Sequence, residues 1–474
     1  MSYSPDPQFS RLGADFADPV APADFPETKE RFWNDRWAAA VGLDGLDAAG
    51  RVAHFARFSP LPDNQSEPLA MRYHGHQFRH YNPQIGDGRG FLFAQLKDRE
   101  GRLLDLATKG SGQTPWSRQG DGRLTLKGAV REIMAAQLLE ARGVYTSKPF
   151  AVFETGEELH RHDEPSPARS AVMTRLSHSH LRFGVFQRHA YEERPDNIQA
   201  LIDHAIAGYF PELDGAEAPA AALLERVVRE NARLAASWMA AGFVHGVLNT
   251  DNLNLTGESF DYGPWRFLPI YEPGFTAAYF DENGLYAYGR QPEAVFWALQ
   301  QFAGALSLVC ETGPLEAALN RFPELYRTEL PAAFMARFGL ETAGDEVDIG
   351  MVRAFLDFMR ASQAPWEGVF FDWFGGEASA QRALAGPRAH LYQGEPFKAW
   401  REAFAGHAPA RPERLEHAYF ERENPADMVI DRLEALWSAI ADRDDWSEFN
   451  AALEAIGQAR AALDLGAGRP GFLA

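Results

Sequence analysis

The stretch His245–Gly263, HGVLNTDNLNLTGESFDYG, decides how the rest of the chain is read. Asp251 and Asn252 are adjacent in it, and Asp261 follows after a short interval. A carboxylate beside an amide, with a second carboxylate close by, is an oxygen donor set suited to a hard divalent cation. Mg2+ in particular prefers one or two carboxylates completed by substrate phosphates and waters. The run from Ala222 to Ala241 leads into this stretch. Its Leu224, Val227, Val228, Asn231, Leu234, Ala235 and Trp238 recur at helical spacing. A long amphipathic helix is therefore expected to deliver the donor set, and a short hairpin to close it.

Working outward, the composition sets bounds. A chain of 474 residues is too long for one ordinary core, so two or three packed units are expected. With 46% hydrophobic and 24% charged residues, it has the balance of a soluble globular protein. No apolar run approaches a membrane span, and the N-terminal MSYSPDPQFSRLGADF lacks the basic and apolar regions of a signal peptide. A cytoplasmic protein with no membrane partner is the expectation. The formal net charge of -20 argues against nucleic acid as a partner, while leaving room for a local basic pocket. Lysine occurs only at positions 29, 97, 109, 127, 148 and 398, so a lysine at a structured position is informative. Cys310 is the sole cysteine, which excludes an intramolecular disulfide and a cysteine-ligated zinc cluster; it reads as a small buried hydrophobe on a helix.

Residues 1–65 carry no evident chemistry, and Phe32, Trp33 and Trp37 are expected to anchor them on a later unit. His74, His76 and His80 cluster without a recognisable ligand spacing, so hydrogen-bonded structural roles are favoured over a metal site. Gly86-Asp87-Gly88-Arg89-Gly90 precedes a strand expected over Phe91–Leu96. Closely spaced glycines let backbone N–H groups approach phosphates, although glycines before a strand also simply mark turns. A second strand is expected over Leu103–Thr108, with Lys109 at its end. The next helix, Leu126 to Arg142, supplies Glu132 and shows a mainly apolar face of Val130, Ile133, Met134, Gln137, Leu138 and Ala141 before Gly143. Between them GSGQTPWSRQGDGRL repeats Gly-Asp-Gly-Arg; its GSGQT lacks the Gly-Lys-Ser/Thr ending of a P-loop. Two more strands are expected at Phe150–Glu154 and Ala171–Leu176, joined by a polar loop with Pro165 and Pro167. Arg175 and Arg182 read either as surface charges or as bidentate phosphate clamps. Helices dominate afterwards, with an apolar core helix at Pro292–Val309 and the clearest of the later ones at Asp348–Met359, Asp427–Ala441 and Ser447–Ala462.

This order of parts matches the protein kinases. There a strand lysine pairs with a helix glutamate, and a catalytic-loop Asn and the Asp of D-F-G hold the metals. Asn252 falls in register, and Asp261-Tyr262-Gly263 stands for D-F-G. The catalytic Asp expected two residues after the His is Val247, which cannot accept a proton. The metal and nucleotide apparatus is present while the usual base is absent.

Four signatures in order, YHGHQFRHYNPQIGDGRG, TKGSGQTPWSRQGDGRLTLKGAVRE, MTRLSHSHLRFG and HGVLNTDNLNLTGESFDYGP, resemble the selenoprotein O family, also called YdiU. The resemblance runs from about residue 70 to 290 and is less clear beyond about 380. It implies a kinase-like fold that binds ATP in a flipped orientation. It also implies transfer of AMP, rather than phosphate, to Ser, Thr or Tyr hydroxyls of proteins. Position by position, it implies nucleotide contacts at Gly86, Gly88 and Arg89, and at Asp121 and Gly122. Lys109 would be the phosphate lysine held by Glu132, and Arg175 and Arg182 would hold the inverted phosphates. Asp251 would be the proton acceptor, Asn252 a metal ligand, and Asp261 a ligand of Mg2+ or Mn2+ and a nucleotide contact. Acceptors from redox metabolism are suggested by family context alone. Many members carry a selenocysteine or cysteine near the C-terminus; this chain ends GAGRPGFLA, so the resemblance carries no terminal-thiol control to it.

The expected architecture is α+β and two-lobed. A small mixed N-lobe spans 66–178 and a mainly helical C-lobe 179–380. Residues 1–65 form an extension packed on the lobes, and 381–474 a helical C-terminal region. Three other functions remain open on the residues: a γ-phosphate kinase, a catalytically inactive ATP-binding scaffold, and a transferase of another nucleotide such as UMP.

Overall fold

The strand Leu103–Lys109 is buried along its whole length, and an antiparallel sheet extends from it in both directions. The computed structural model describes residues 2–161, 164–469 and 471–473. Across the sheet the order is Ala17–Pro19, Leu69–Met71, Leu92–Lys97, Leu103–Lys109, Ala168–Ser177, Lys148–Leu159 and Lys29–Trp33, with Leu124–Thr125 added to Ala168–Ser177. Leu92–Lys97 and Leu103–Lys109 are near-continuous apolar runs because both faces of the sheet are covered. The turn between them closes on Asp98, whose Oδ1 accepts from the N–H groups of Glu100 and Arg102 at 2.9 and 3.0 Å.

Residues 1–65 do more than lie on this sheet, since they supply both of its edge strands. Lys29–Trp33 pairs with Lys148–Leu159, and Trp33 packs edge-on against Phe55 and Phe150. The strands expected at 150–154 and 171–176 are longer than their apolar cores. Their polar extensions are held by ion pairs: Arg169 lies 2.6 Å from Glu154, and Arg123 lies 2.8 Å from Glu157. Of the polar loop between them, His162 and Asp163 lie outside the described residues.

Helix Leu126–Ala141 packs on the sheet. Thr125 caps it, its hydroxyl accepting from Gly128 N–H at 3.1 Å, and Gly143 takes a left-handed turn just past its end. The expected apolar face is buried, yet so are Glu132 and Glu140. The helix is covered on its other side by helices Ile430–Arg443 and Ser447–Leu463. Lys127–Glu434 at 2.6 Å and Arg460–Glu140 at 3.3 Å tie that contact.

From Phe183 onward the described chain is mainly helical. None of its helices is long and apolar enough to cross a membrane. The long helix Pro219–Ala241 ends on Gly242 at φ 64°, where a Cβ would meet the Trp366 indole at 2.4 Å. No strand pair forms within 245–263. Instead Phe243–Val244 pairs with Arg266–Phe267 and brackets the stretch from outside. Inside it, the backbone pairs outward with Leu181, Phe183, Tyr145 and Ser147, and side chains from the long helix add further bonds. Asn231 Nδ2 donates to Asn254 O at 3.4 Å, and Trp238 Nε1 donates to Ser259 Oγ at 3.0 Å. Cys310 departs from expectation. Helix Gln291–Leu306 ends before it, and it sits half-buried in the following turn against the core.

One buried carboxylate fixes the segment that enters the site. Asp105 Oδ2 accepts from His180 N–H at 2.7 Å, and Oδ1 accepts from Gln95 Nε2 at 2.8 Å. Burial pushes this carboxyl up to about 7, against the hydrogen bonds that lower it. The folded state therefore holds a proton that the unfolded chain has released. Its stabilising contribution is present in acid and is lost as pH rises toward 7. Urea unfolding between pH 5 and 7 is expected to show stability falling more steeply in the wild type than in Asp105→Asn. The difference should approach about 1.4 kcal/mol per pH unit; equal slopes would contradict this state for Asp105.

Candidate active site

The central stretch is shaped by a buried imidazole. His245 Nε2 donates to Phe260 O at 2.9 Å, since a carbonyl can only accept, and this leaves Nδ1 to accept from Val247 N–H at 3.4 Å. One ring thus spans the start of the stretch and the residue before Asp261. The Val247 carbonyl in turn accepts from Asn252 Nδ2 at 3.0 Å, which leaves the amide oxygen of Asn252 as its donor atom for a ligand. Asp251 sits on a 3-10 turn, Thr250–Asn252. That turn is pressed against the hairpin strands Gly75–Gln77 and His80–Asn82 by His76 N–H, which donates to Thr250 Oγ1 at 2.7 Å. His74 and His76 hydrogen-bond to Tyr81 and Gln187, each at 2.8 Å.

Asp261 takes φ 62°, a left-handed backbone that Asp tolerates better than most residues. Its carboxylate meets three cations. Lys109 Nζ lies 2.8 Å away, Arg175 3.6 Å and Arg182 3.7 Å. Burial alone would raise the Asp261 carboxyl, but these cations hold it well below the usual carboxylate range. Behind them Glu132 lies 2.6 Å from Lys109 and 3.1 Å from Arg175, so one buried carboxylate orients both. Arg182 is placed by chain pairing: Phe183 N–H donates to Leu253 O at 3.1 Å and Leu255 N–H donates to Leu181 O at 3.2 Å. Its guanidinium donates to the Asp251 carbonyl at 3.0 Å and lies between the rings of Tyr73 and Phe260.

These groups open into a cleft of about 700 Å³. Of the sequence-derived residues, Gly86, Gly88, Arg89, Lys109, Asp121, Gly122, Arg175, Arg182, Asp251 and Asp261 line it. Glu132 and Asn252 are not on the wall: Glu132 is buried under Lys109, and the half-buried Asn252 stands beside Asp251. Seven of the lining side chains are lysine or arginine, on a chain of net charge -20. Burial raises the Asp251 carboxyl to about 6, opposed chiefly by Arg182. Its Oδ1 is buried without a hydrogen-bond partner among the described residues. The amide oxygen of Asn252 and the Asp261 carboxylate fit a hard cation completed by phosphates, and leave the Asp251 carboxylate beside them to take a proton. Among the described residues there is no group of three His, Cys, Asp or Glu able to hold a metal without such help.

Sequence reasoning missed Tyr73, Asp87 and Trp116. Asp87 lies inside the Gly-Asp-Gly-Arg motif, which was the available signal. It is buried, accepting from Met71 N–H at 3.1 Å and lying 3.5 Å from Arg182 and 3.4 Å from His180. Trp116 explains much of the first glycine loop: a Cβ on Gly86 would strike its indole at 2.5 Å, and one on Gly88 its carbonyl at 2.9 Å. Close packing thus requires glycine at both positions whether or not a phosphate approaches them. Asp121 is exposed and paired with Arg161 at 2.7 Å, while Gly122 lets the second loop cross Gly112.

A model of the family described as Protein adenylyltransferase SelO matches residues 1–457. This extends well past the motif-bearing part, into the C-terminal helices where the resemblance read from motifs was weak. A Gloeobacter violaceus protein named Protein nucleotidyltransferase YdiU is 43% identical over 459 residues, covering 94% of this chain and 93% of its own. Its namesake from Synechocystis sp. is 40% identical, covering 95% and 97%, and that of Pseudomonas putida strain W619 is 36% identical, covering 94% and 90%. A lysine–glutamate–aspartate centre in a basic cleft, with sequence similarity along nearly the whole chain, leads to one assignment: this chain belongs to the protein adenylyltransferase SelO family and is an enzyme of the nucleotidyltransferase type.

Proposed function

We propose that the cleft binds ATP with its α-phosphoryl group toward Asp251 and transfers AMP to a Ser, Thr or Tyr hydroxyl of a protein. The observation that carries this reading is the Asp251 carboxylate, buried, unpartnered at Oδ1 and lining a basic cleft in a chain whose usual base position is Val247. A γ-phosphate transferase would need its base two residues after His245. A group displaced to Asp251 suits a differently presented phosphorus. The lysine-bearing strand, glutamate-bearing helix and D-Y-G stretch support a two-lobed kinase-like architecture, with lobes at 66–178 and 179–380 and the segments 1–65 and 381–474 packed on them. Acceptors drawn from redox metabolism and a cytoplasmic location belong to this proposal as well.

In the step, the acceptor oxygen bonds to the α-phosphorus and its proton passes to Asp251. The bond between the α-phosphorus and its bridging oxygen breaks, and the electron pair leaves with pyrophosphate. With a carboxyl near 6, Asp251 is mostly ionised at neutral pH and able to take that proton. Lys109, Arg175 and Arg182 bind phosphoryl oxygens in place of Asp261, already oriented by Glu132 and Asp87. Asn252 and Asp261 would hold Mg2+ or Mn2+, whose charge when bound offsets that on the phosphoryl oxygens.

Purified protein with Mg2+ or Mn2+ and ATP labelled at either the α- or γ-phosphate is expected to incorporate only the α-label, into itself or a lysate protein. Asp261→Ala should abolish this, and Asp251→Asn should lower kcat by roughly 10²–10⁴-fold. Incorporation of γ-label would mean a kinase, binding without any transfer a scaffold, and labelling from UTP in preference to ATP a uridylyl transferase. Glu132→Gln is expected to weaken ATP binding by roughly tenfold, about 1.5 kcal/mol, by releasing two oriented cations. Calorimetry showing unchanged affinity would contradict the role given to Glu132.

A further inference from the structure

Most basic side chains of the cleft are already committed to carboxylates. Lys109 and Arg175 share Glu132, Arg182 meets Asp87, Arg123 meets Glu157, and Arg161 meets Asp121. Arg89 and Arg118 line the same cleft and have no ion pair among the described residues. Arg89 belongs to the first glycine loop and already has a nucleotide role in the reading above. Arg118 has none.

The backbone at Arg118 is unusual. It takes φ 54°, left-handed and outside a helix cap, where glycine or asparagine would sit at lower cost. The residues around it are pinned. Thr114 Oγ1 donates to Asp87 O at 2.6 Å, and Ser117 Oγ donates to Gly88 O. Gly120 N–H donates to Ser117 O at 2.7 Å, and Gln113 Nε2 to Gly120 O at 2.9 Å. Trp116 is seated against Gly86 and bonds through Nε1 to Asp18 at 2.9 Å. A strained residue at the tip of a loop fixed on both sides is a placed side chain. The turn would form more cheaply without an arginine, and the exposed guanidinium makes no hydrogen bond among the described residues to stabilise it. What it has instead is position: it lies on the wall of the cleft that also contains Asp251, Lys109, Arg175 and Arg182.

We propose that Arg118 is a further catalytic residue, a guanidinium carried over the cleft by the Thr114–Gly120 loop that bonds to the α-phosphoryl oxygens as negative charge builds on them. This rests on the adenylyl-transfer reading. Arg118 keeps its proton throughout. The acceptor oxygen–phosphorus bond forms, the bond to the pyrophosphate oxygen breaks, and the acceptor's proton goes to Asp251 as before. Because Lys109, Arg175 and Arg182 already hold the ground-state nucleotide, Arg118 acts on kcat more than on ATP affinity.

The test uses Arg118→Asn, which suits the left-handed backbone, and Arg118→Lys, each compared with wild type for melting temperature, ATP affinity and α-label transfer. Arg118→Asn is expected to melt within a few degrees of wild type and to bind ATP within about threefold of it, while kcat falls by roughly 10²-fold or more. Added guanidinium ion should restore part of that loss, and Arg118→Lys should be intermediate. Wild-type kcat in Arg118→Asn, a loss confined to the KM for the acceptor protein, or equal losses of affinity and rate would each overturn the assignment. If the wild type itself transfers no α-label, the function reading falls and this inference with it. If the wild type transfers and Arg118→Asn matches it, only this inference falls.

Discussion

The Asp261 carboxylate is the constraint on which the site depends. It draws Lys109 from a strand, Arg175 from the neighbouring strand and Arg182 from the start of a helix onto one point. Three cations so close would repel one another without a shared anion. Glu132 and Asp87 complete the balance from behind, so each cation has a second, fixed partner. A phosphate group entering the cleft can replace Asp261 as their partner without their having to be gathered again. That is pre-organisation in the electrostatic sense: the cost of assembling the cations is met in folding, not at binding.

Everything around this cluster works to hold it in register. His245 and Val247 knit the beginning of the central stretch to Phe260, which precedes Asp261. Asp105 holds the backbone at His180, two residues before Arg182. The roof of the cleft is a pair of interlocked loops in which glycines make room for Trp116. The C-terminal helices reach the site only indirectly, by covering the helix that carries Glu132. That coverage gives a physical reason for family similarity to extend to residue 457, far past the last residue lining the cleft.

Much of this was legible in sequence because the chemistry is local. Asp251 and Asn252 are adjacent, Lys109 ends an apolar strand, and Glu132 lies on the next helix. Such relations survive as spacing. The missed parts are relations between distant segments. Strand Lys29–Trp33 reads KERFW, without alternation, and exists because Lys148–Leu159 offers it an edge. Trp116 and Tyr73 gain their place at the cleft only where segments distant in sequence meet. The expected hairpin within 245–263 is absent because the backbone there pairs outward, Leu253 and Leu255 with Phe183 and Leu181, and Ser259 with Tyr145 and Ser147. Cys310 fell beyond its helix because the apolar periodicity outlasts the helix itself.

The orientation of the nucleotide is the point on which the proposed chemistry turns, and a crystal structure with α,β-methylene-ATP and Mg2+ measures it directly. The account predicts the α-phosphorus nearest the Asp251 carboxylate, with the phosphate chain bonded to Lys109, Arg175 and Arg182. A γ-phosphorus facing Asp251, or phosphates lying away from those three cations, would contradict it.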